Sequence, residues 1–134
     1  MFVDASAIVA MLTREAEADV FLDLVEAAPS PITSPIAIFE ATAGICRKRQ
    51  SSVEQAEQDV GQFLADADIR VADVTEAAAT EALAAFARYG KGRGHPAQLN
   101  LGDCFAYAVA KLNGSPMLFK GDDFSKTDIA PARS

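Results

Sequence analysis

The chain has 134 residues, half of them apolar, with only two cysteines and a formal net charge of −7. That length suits one domain over residues 1–134 whose core needs neither a disulfide framework nor a structural zinc. No apolar run approaches the roughly 20 residues of a membrane span, and the acid surplus argues against holding nucleic acid by bulk electrostatics, which takes Lys and Arg to neutralise phosphates.

Met1 to Asp4 reads as a short buried strand. No basic segment and apolar stretch of a secretion signal stand before it, which predicts a cytoplasmic protein. Alanine-rich periodic segments predict helices over about residues 5–12 and 14–28, the second stopped by Pro29-Ser30-Pro31. Residues 31–34 form a second candidate strand, and Ser34-Pro35 supplies an N-cap and a first-position proline for a helix over about 35–50. Its basic end, Arg47-Lys48-Arg49, lies where cations favour the helix dipole, and reads as helix-end electrostatics on a solvated surface. Cys46 and Cys104 show no metal-ligand spacing and fall in apolar helical patterns, so both read as buried thiols.

Residues 53–66 are polar and amphipathic, residues 69–74 alternate as a strand does, and Thr75-Glu76 opens an alanine-rich helix to about Tyr89. Gly90, Gly92, Gly94 and Pro96, interleaved with Lys91, Arg93 and His95, make a basic loop. A helix over about 102–113 closes at Asn113-Gly114, Met117 to Phe119 is a fourth strand, and the tail is loop-like with one short edge strand near Asp128 to Ala130. Strands separated by helices pair in parallel through crossovers. The predicted class is therefore α/β, a three-layer α/β/α sandwich around a mainly parallel sheet of four to five strands.

Four acids stand at the edges of apolar segments. Asp4 ends Met1-Phe2-Val3, Glu40 follows Ile36-Ala37-Ile38-Phe39, Asp103 precedes Cys104-Phe105-Ala106, and Asp123 comes soon after Met117-Leu118-Phe119. A carboxylate taken out of water needs a partner, and where no arginine lies near in sequence the usual partner is a divalent cation bound by oxygen. Sites in parallel sheets form beyond the carboxyl ends of the strands. Asp4 and Asp123 fall there, and Glu40 and Asp103 are expected in the first turns of helices that begin on the same rim. Taken singly, Asp4 and Asp103 read as turn or cap residues and Glu40 as a glutamate favoured by a helix dipole. The ordered set is what predicts a shared metal site. Asp128 reads as a structural cap or turn.

Phe2-Val3-Asp4-Ala5-Ser6-Ala7, the helix bearing Glu40, Leu99-Asn100-Leu101-Gly102-Asp103-Cys104-Phe105-Ala106-Tyr107-Ala108 and Leu118-Phe119-Lys120-Gly121-Asp122-Asp123-Phe124 resemble, in order and spacing, PIN-domain ribonucleases. The likeness is greatest to VapC-type toxins of type II toxin–antitoxin systems, and it spans essentially the whole chain. It implies a Mg2+- or Mn2+-dependent endoribonuclease acting on tRNA, rRNA or mRNA, a cognate VapB-type antitoxin and a homodimer. Asp4, Glu40 and Asp103 match the family's acids. Asp123 is preferred as the fourth because it precedes Phe124, with its neighbour Asp122 and the hydroxyl of Ser6 in support. Asp4 and Asp103 are expected to bind the metal, and Arg88, Lys91 and Arg93, just before the Asp103 helix, to guide RNA phosphates.

Three alternatives compete. One is a housekeeping RNA-processing PIN nuclease. Another is a non-catalytic PIN-like binding module, which the intact acid set speaks against. The third is a phosphatase of the haloacid-dehalogenase type, whose chemistry needs a second aspartate where this chain has Ser6.

Overall fold

A computed structural model describes residues 1–133, and Ser134, the last residue of the expected domain and tail, lies outside them. In chain order the elements are β1 (Phe2–Val3), α1 (Ala5–Leu12), α2 (Ala18–Ala27), β2 (Ile32–Thr33), α3 (Pro35–Arg49) and α4 (Val53–Asp66). There follow β3 (Arg70–Val71), α5 (Glu76–Tyr89), α6 (Leu101–Leu112), β4 (Met117–Leu118) and one 3-10 turn over Phe124–Lys126. All four strands are parallel, in the order β3-β2-β1-β4, with Phe2 opposite Ile32 on one side and Met117 on the other.

The chain steps from β1 outward through β2 to β3, then travels back past β1 to β4. Parallel crossovers are right-handed, so the two directions of travel put their helices on opposite faces of the sheet, giving the predicted three layers. Between β1 and β4 the direction of winding reverses, and a crevice at the carboxyl ends of these strands is where such folds bind. Both strands are buried, with Phe2, Val3 and Met117 fully so. Ala7, Ala10, Ala41, Ala108 and Ala110 are also fully buried. Methyl-sized side chains there let the helices lie close to the strands and to each other, at low entropic cost per buried residue.

Side-chain caps mark most helix starts: Asp4 for α1, Ser34 for α3, Ser52 for α4, Thr75 for α5 and Asn100 for α6. Three of the expected elements differ from what is seen. The helix expected over 14–28 begins only at Ala18, because the chain turns at Thr13 to Glu17 with Arg14 in the left-handed region at φ 55°. No glycine or proline marks that turn, so the apolar periodicity runs through it unbroken. The strand expected over 69–74 contracts to two exposed edge residues. The tail strand near Asp128 to Ala130 reduces to one bridge between Met117 and Pro131, since proline has no N–H with which to extend a ladder. Cys104 is buried as expected, whereas Cys46 is only half-buried. Among the described residues no helix is long and apolar enough to cross a membrane.

Candidate functional site

β1 runs straight into α1, and Asp4 is the junction. Its carboxylate Oδ2 accepts from the Ser6 N–H at 3.0 Å and the Ser6 hydroxyl at 2.6 Å, so it is the helix cap that sequence suggests for a lone aspartate. It is also only 5% exposed. Burial pushes its carboxyl above the usual range, the Ser6 hydrogen bonds pull against this, and the nearby Asp123 charge adds to the rise. Ser6 in turn accepts from the Lys120 N–H at 3.0 Å. The hydroxyl thus ties the end of β1 to the turn after β4.

Glu40 is the sixth residue of α3, in its second turn rather than the first. It is half-buried, and its carboxyl is raised by burial and then by Asp4. Against it lies Gly102, where a Cβ would overlap both oxygens and the carbon of the Glu40 carboxylate. Glycine at this position is what leaves room for the Glu40 carboxylate to lie against the start of α6.

At the start of α6 the Asn100 side chain accepts from the Asp103 N–H at 2.8 Å, while Asp103 Oδ2 accepts from the Asn100 N–H at 3.1 Å. This reciprocal capping box holds the aspartate rigidly. Burial, opposed by the Asn100 hydrogen bond and reinforced by the charges of Asp4, Asp123 and Glu40, pushes the Asp103 carboxyl up to about 7. Asp123 is exposed and makes no capping hydrogen bond, yet its charge acts on both Asp4 and Asp103. Its neighbour Asp122 offers its backbone carbonyl to the Ser125 hydroxyl at 2.7 Å.

An open cleft of about 390 Å³ brings Asp4, Ser6, Glu40 and Asp103 together, with Asp123 close enough to be felt electrostatically but not lining it. Three further charged residues line it: Glu15, Arg47 and Lys120. The signal for Arg47 was present in sequence, since Glu40, Gly44 and Arg47 are spaced i, i+4, i+7 and share one helix face. Glu15 had no comparable signal, because it sits in the turn that periodicity concealed.

The expected RNA-guiding cations lie elsewhere. Arg88 stacks 4.8 Å from the Tyr89 ring centroid and 3.8 Å from Asp128, and Arg93 lies 5.8 Å from the Phe86 ring centroid. Lys91 borders an apolar groove with Leu83, Phe86 and Leu101, between α5 and α6. None of the three lines the acidic cleft. His95 accepts from the Ala97 N–H at 3.0 Å and meets Tyr89 edge-on, a local structural role. Asp128 accepts from the hydroxyls of Tyr107 and Tyr89 and from Lys111, anchoring the tail to α5 and α6.

Among the described residues no three of His, Cys, Asp and Glu close into a ligand cage. Magnesium needs none: it keeps several waters and binds through one or two carboxylates plus substrate phosphate. The donors in the cleft are all oxygens, and their mutual repulsion and desolvation are the conditions a hard cation relieves. Asp4 and Asp103 each give one oxygen to a helix start, leaving the other uncommitted by these hydrogen bonds. The residues present fit a hard divalent ion.

A family model described as the PIN domain matches residues 1–130. The chain is 41% identical over 132 residues to ribonuclease VapC42 of Mycobacterium tuberculosis, covering 98% of each chain. It is 43% identical over 130 residues to ribonuclease VapC30 of the same organism, covering 97% of this chain and 96% of that one. A VapC ribonuclease of Rhizobium meliloti is 38% identical over 139 residues, covering 96% of this chain and 98% of the relative. The fold is similar to the crystal structure of M. tuberculosis VapC20, described as a sarcin-ricin loop cleaving toxin, with a TM-score of 0.76 at 19% identity over 99% of this chain and 98% of that chain. A toxin–antitoxin complex from Klebsiella pneumoniae matches with a TM-score of 0.68 at 19% identity, over 92% and 89% of the two chains. With the sheet order, the acidic cleft and these relatives in agreement, the chain belongs to the PIN-domain family, among the VapC ribonucleases.

Proposed function

We propose that this protein is the toxin of a type II toxin–antitoxin pair, a cytoplasmic endoribonuclease that hydrolyses RNA phosphodiester bonds with Mg2+ or Mn2+ held by Asp4 and Asp103. The observation that carries the site assignment is the convergence of Asp4, Glu40 and Asp103 in one cleft, with the Asp103 carboxyl pushed up to about 7 by burial and by the other acids. Carboxylates that disfavour one another in this way are poised for a cation.

When bound, such an ion would polarise the phosphodiester and acidify a water at neutral pH, so that attack on phosphorus displaces a ribose oxygen, which leaves as a hydroxyl. Ser6 and the capping box hold Asp4 and Asp103 in fixed poses, so these two would hold the ion with little reorganisation. Glu40, wedged against Gly102, orients the attacking water and takes its proton. Asp123 approaches from the rim as the fourth acid. The chain's one histidine, His95, is not among the residues lining the cleft, so the proton work falls to carboxylates. Arg47 projects into the same cleft, where it can meet a flanking phosphate.

A VapB-type antitoxin and a second copy of the chain complete the proposed partners. The Klebsiella structure is a toxin–antitoxin complex, and Phe39, Leu83 and Leu101 are each at least two-thirds exposed, as suits a chain that acts in an assembly.

The test is cleavage of total tRNA and rRNA by purified protein with magnesium, manganese or chelator, beside Asp4→Ala prepared identically. Discrete metal-dependent cuts, lost in the variant, are expected. Cutting that persists in Asp4→Ala or in chelator would sink the assignment, and a wild type that binds manganese without cutting any RNA would make the protein a binding module.

A further inference from the structure

Lys120 occupies an unusual position among the basic residues. Its backbone N–H is fixed to Ser6, and its side chain lines the acidic cleft. Its ammonium is nevertheless turned onto two glutamates of the α1–α2 turn, at 3.2 Å from Glu15 Oε2 and 3.1 Å from Glu17 Oε2. Glu15 itself lines the cleft. The cation best placed to meet RNA beside the metal-binding acids is therefore occupied by the protein's own carboxylates.

We propose that Lys120 binds an RNA phosphate next to the scissile bond, and that Glu15 and Glu17 hold it in reserve as an intramolecular counter-anion that the phosphate displaces. This inference rests on the ribonuclease reading above. Two features make the exchange feasible. The Lys120 side chain is 40% exposed, and ion pairs this accessible contribute little to stability, so a phosphate can compete for the ammonium. Glu15 keeps a second partner when Lys120 leaves, because Lys48 lies 3.1 Å from the same oxygen and is itself steadied by the Thr13 hydroxyl at 2.8 Å. Glu17 Oε2 is buried and has Lys120, at 3.1 Å, as its ion-pair partner among the described residues, so this is the contact that the phosphate must outcompete.

The charge balance of the cleft shows why such a cation is needed. Asp4, Glu15, Glu40 and Asp103 face Arg47 and Lys120 alone. One divalent ion offsets two of the acids and Arg47 and Lys120 the other two, so the cleft has no surplus positive charge for an incoming phosphate, which gains a cation partner here when Lys120 turns from the glutamates toward it. Release of counterions from the RNA favours that turn.

The test is binding of a labelled single-stranded RNA oligonucleotide by the full chain in chelator, as a function of salt. Three variants are compared with wild type: Lys120→Ala, Glu15→Gln with Glu17→Gln, and all three changes together. Lys120→Ala should raise Kd several-fold and flatten the slope of log K against log salt by about 0.7, one single-strand phosphate contact. The paired glutamine variant should lower Kd several-fold. That gain should largely vanish when Lys120 is already alanine.

A merely structural tie predicts otherwise, since both variants break the same ion pairs and would shift Kd in the same direction. Shifts of the same sign overturn the proposal. So does a glutamine gain undiminished without Lys120, which would reflect general charge removal. If the wild type cleaves RNA while either result is seen, the reserve mechanism alone falls. If the wild type neither binds nor cleaves RNA, the ribonuclease reading falls with it.

Discussion

Asp103 carries opposing demands. Its Oδ2 is needed to close the capping box of α6, and its charge is disfavoured by burial and by three neighbouring acids. With a folded value of about 7, it holds its proton in a pH range where the unfolded chain has already ionised at the ordinary carboxylate value near 4. The unfolded state therefore binds fewer protons between about pH 4 and 7, and stability falls as pH rises through that window. Asp103→Asn keeps an oxygen for the cap and removes the charge. Without metal its melting temperature should exceed that of wild type by a few degrees at pH 8, and the difference should disappear near pH 4. Excess manganese should reverse the order, since a hundredfold excess over Kd stabilises the wild type by about 2.7 kcal/mol. Thermal melts at the two pH values with and without metal check this, and identical wild-type and variant melts at pH 8 would contradict it.

Between elements, the decisive contact is the approach of α6 to α3 at Gly102. An alanine there would gain roughly 0.5–1 kcal/mol of helix stability over glycine in an open setting. Here its methyl group must displace the Glu40 carboxylate, which offsets that gain, since overpacking costs roughly 1–3 kcal/mol. Gly102→Ala is expected to leave the melting temperature within a few degrees of wild type while lowering the cleavage rate about a hundredfold, as small displacements of a catalytic group do. Single-turnover cleavage together with a thermal melt checks it, and full activity would free Glu40 from the role proposed. Helix starts were legible at this scale: Ser34 with Pro35 and Thr75 with Glu76 announce α3 and α5, and each hydroxyl is found on the backbone N–H three residues on. The α1–α2 turn was not, because its bend rests on Arg14 at positive φ rather than on a glycine or proline.

Across the whole molecule, one carboxylate ties the tail to α5 and α6. Asp128 gathers the Tyr89 and Tyr107 hydroxyls, Lys111 at 2.8 Å and Arg88 at 3.8 Å. Lys111 and Tyr107 hold its carboxyl down at about 2, and the same carboxylate pushes the Tyr107 hydroxyl, already raised by burial, up to about 12. A depressed value contributes stability that is present above about pH 4 and lost as pH falls toward about 2. Asp128→Asn should melt a few degrees below wild type at pH 7, a modest effect because the side chain is 37% exposed. The two should converge as pH approaches 2, and a gap that stays constant between pH 7 and 3 would show that charge has no part in the anchor. The sequence marked Asp128 as structural, although nothing local identified two tyrosines some twenty and forty residues upstream as its partners.

The sequence by itself determined the alternation of strands and helices, hence the parallel sheet, and the four acids at apolar boundaries. Both follow from local physics: side-chain periodicity reports burial, and an unpaired charge beside an apolar run reports a special environment. It also placed Asp4 at the meeting of β1 and α1. Only the tertiary structure decided which cations share the cleft. Arg88, Lys91 and Arg93 precede the Asp103 helix in sequence yet turn to Tyr89, Phe86, Asp128 and the α5–α6 groove, while Arg47 and Lys120, remote in the chain, line the acids. Glu15 entered the cleft, and Glu17 reached Lys120, unannounced for the same reason. Long charged side chains are placed by the partners that folding brings within a few ångströms, and such partners are set by sheet order and helix approach, to which local periodicity is blind.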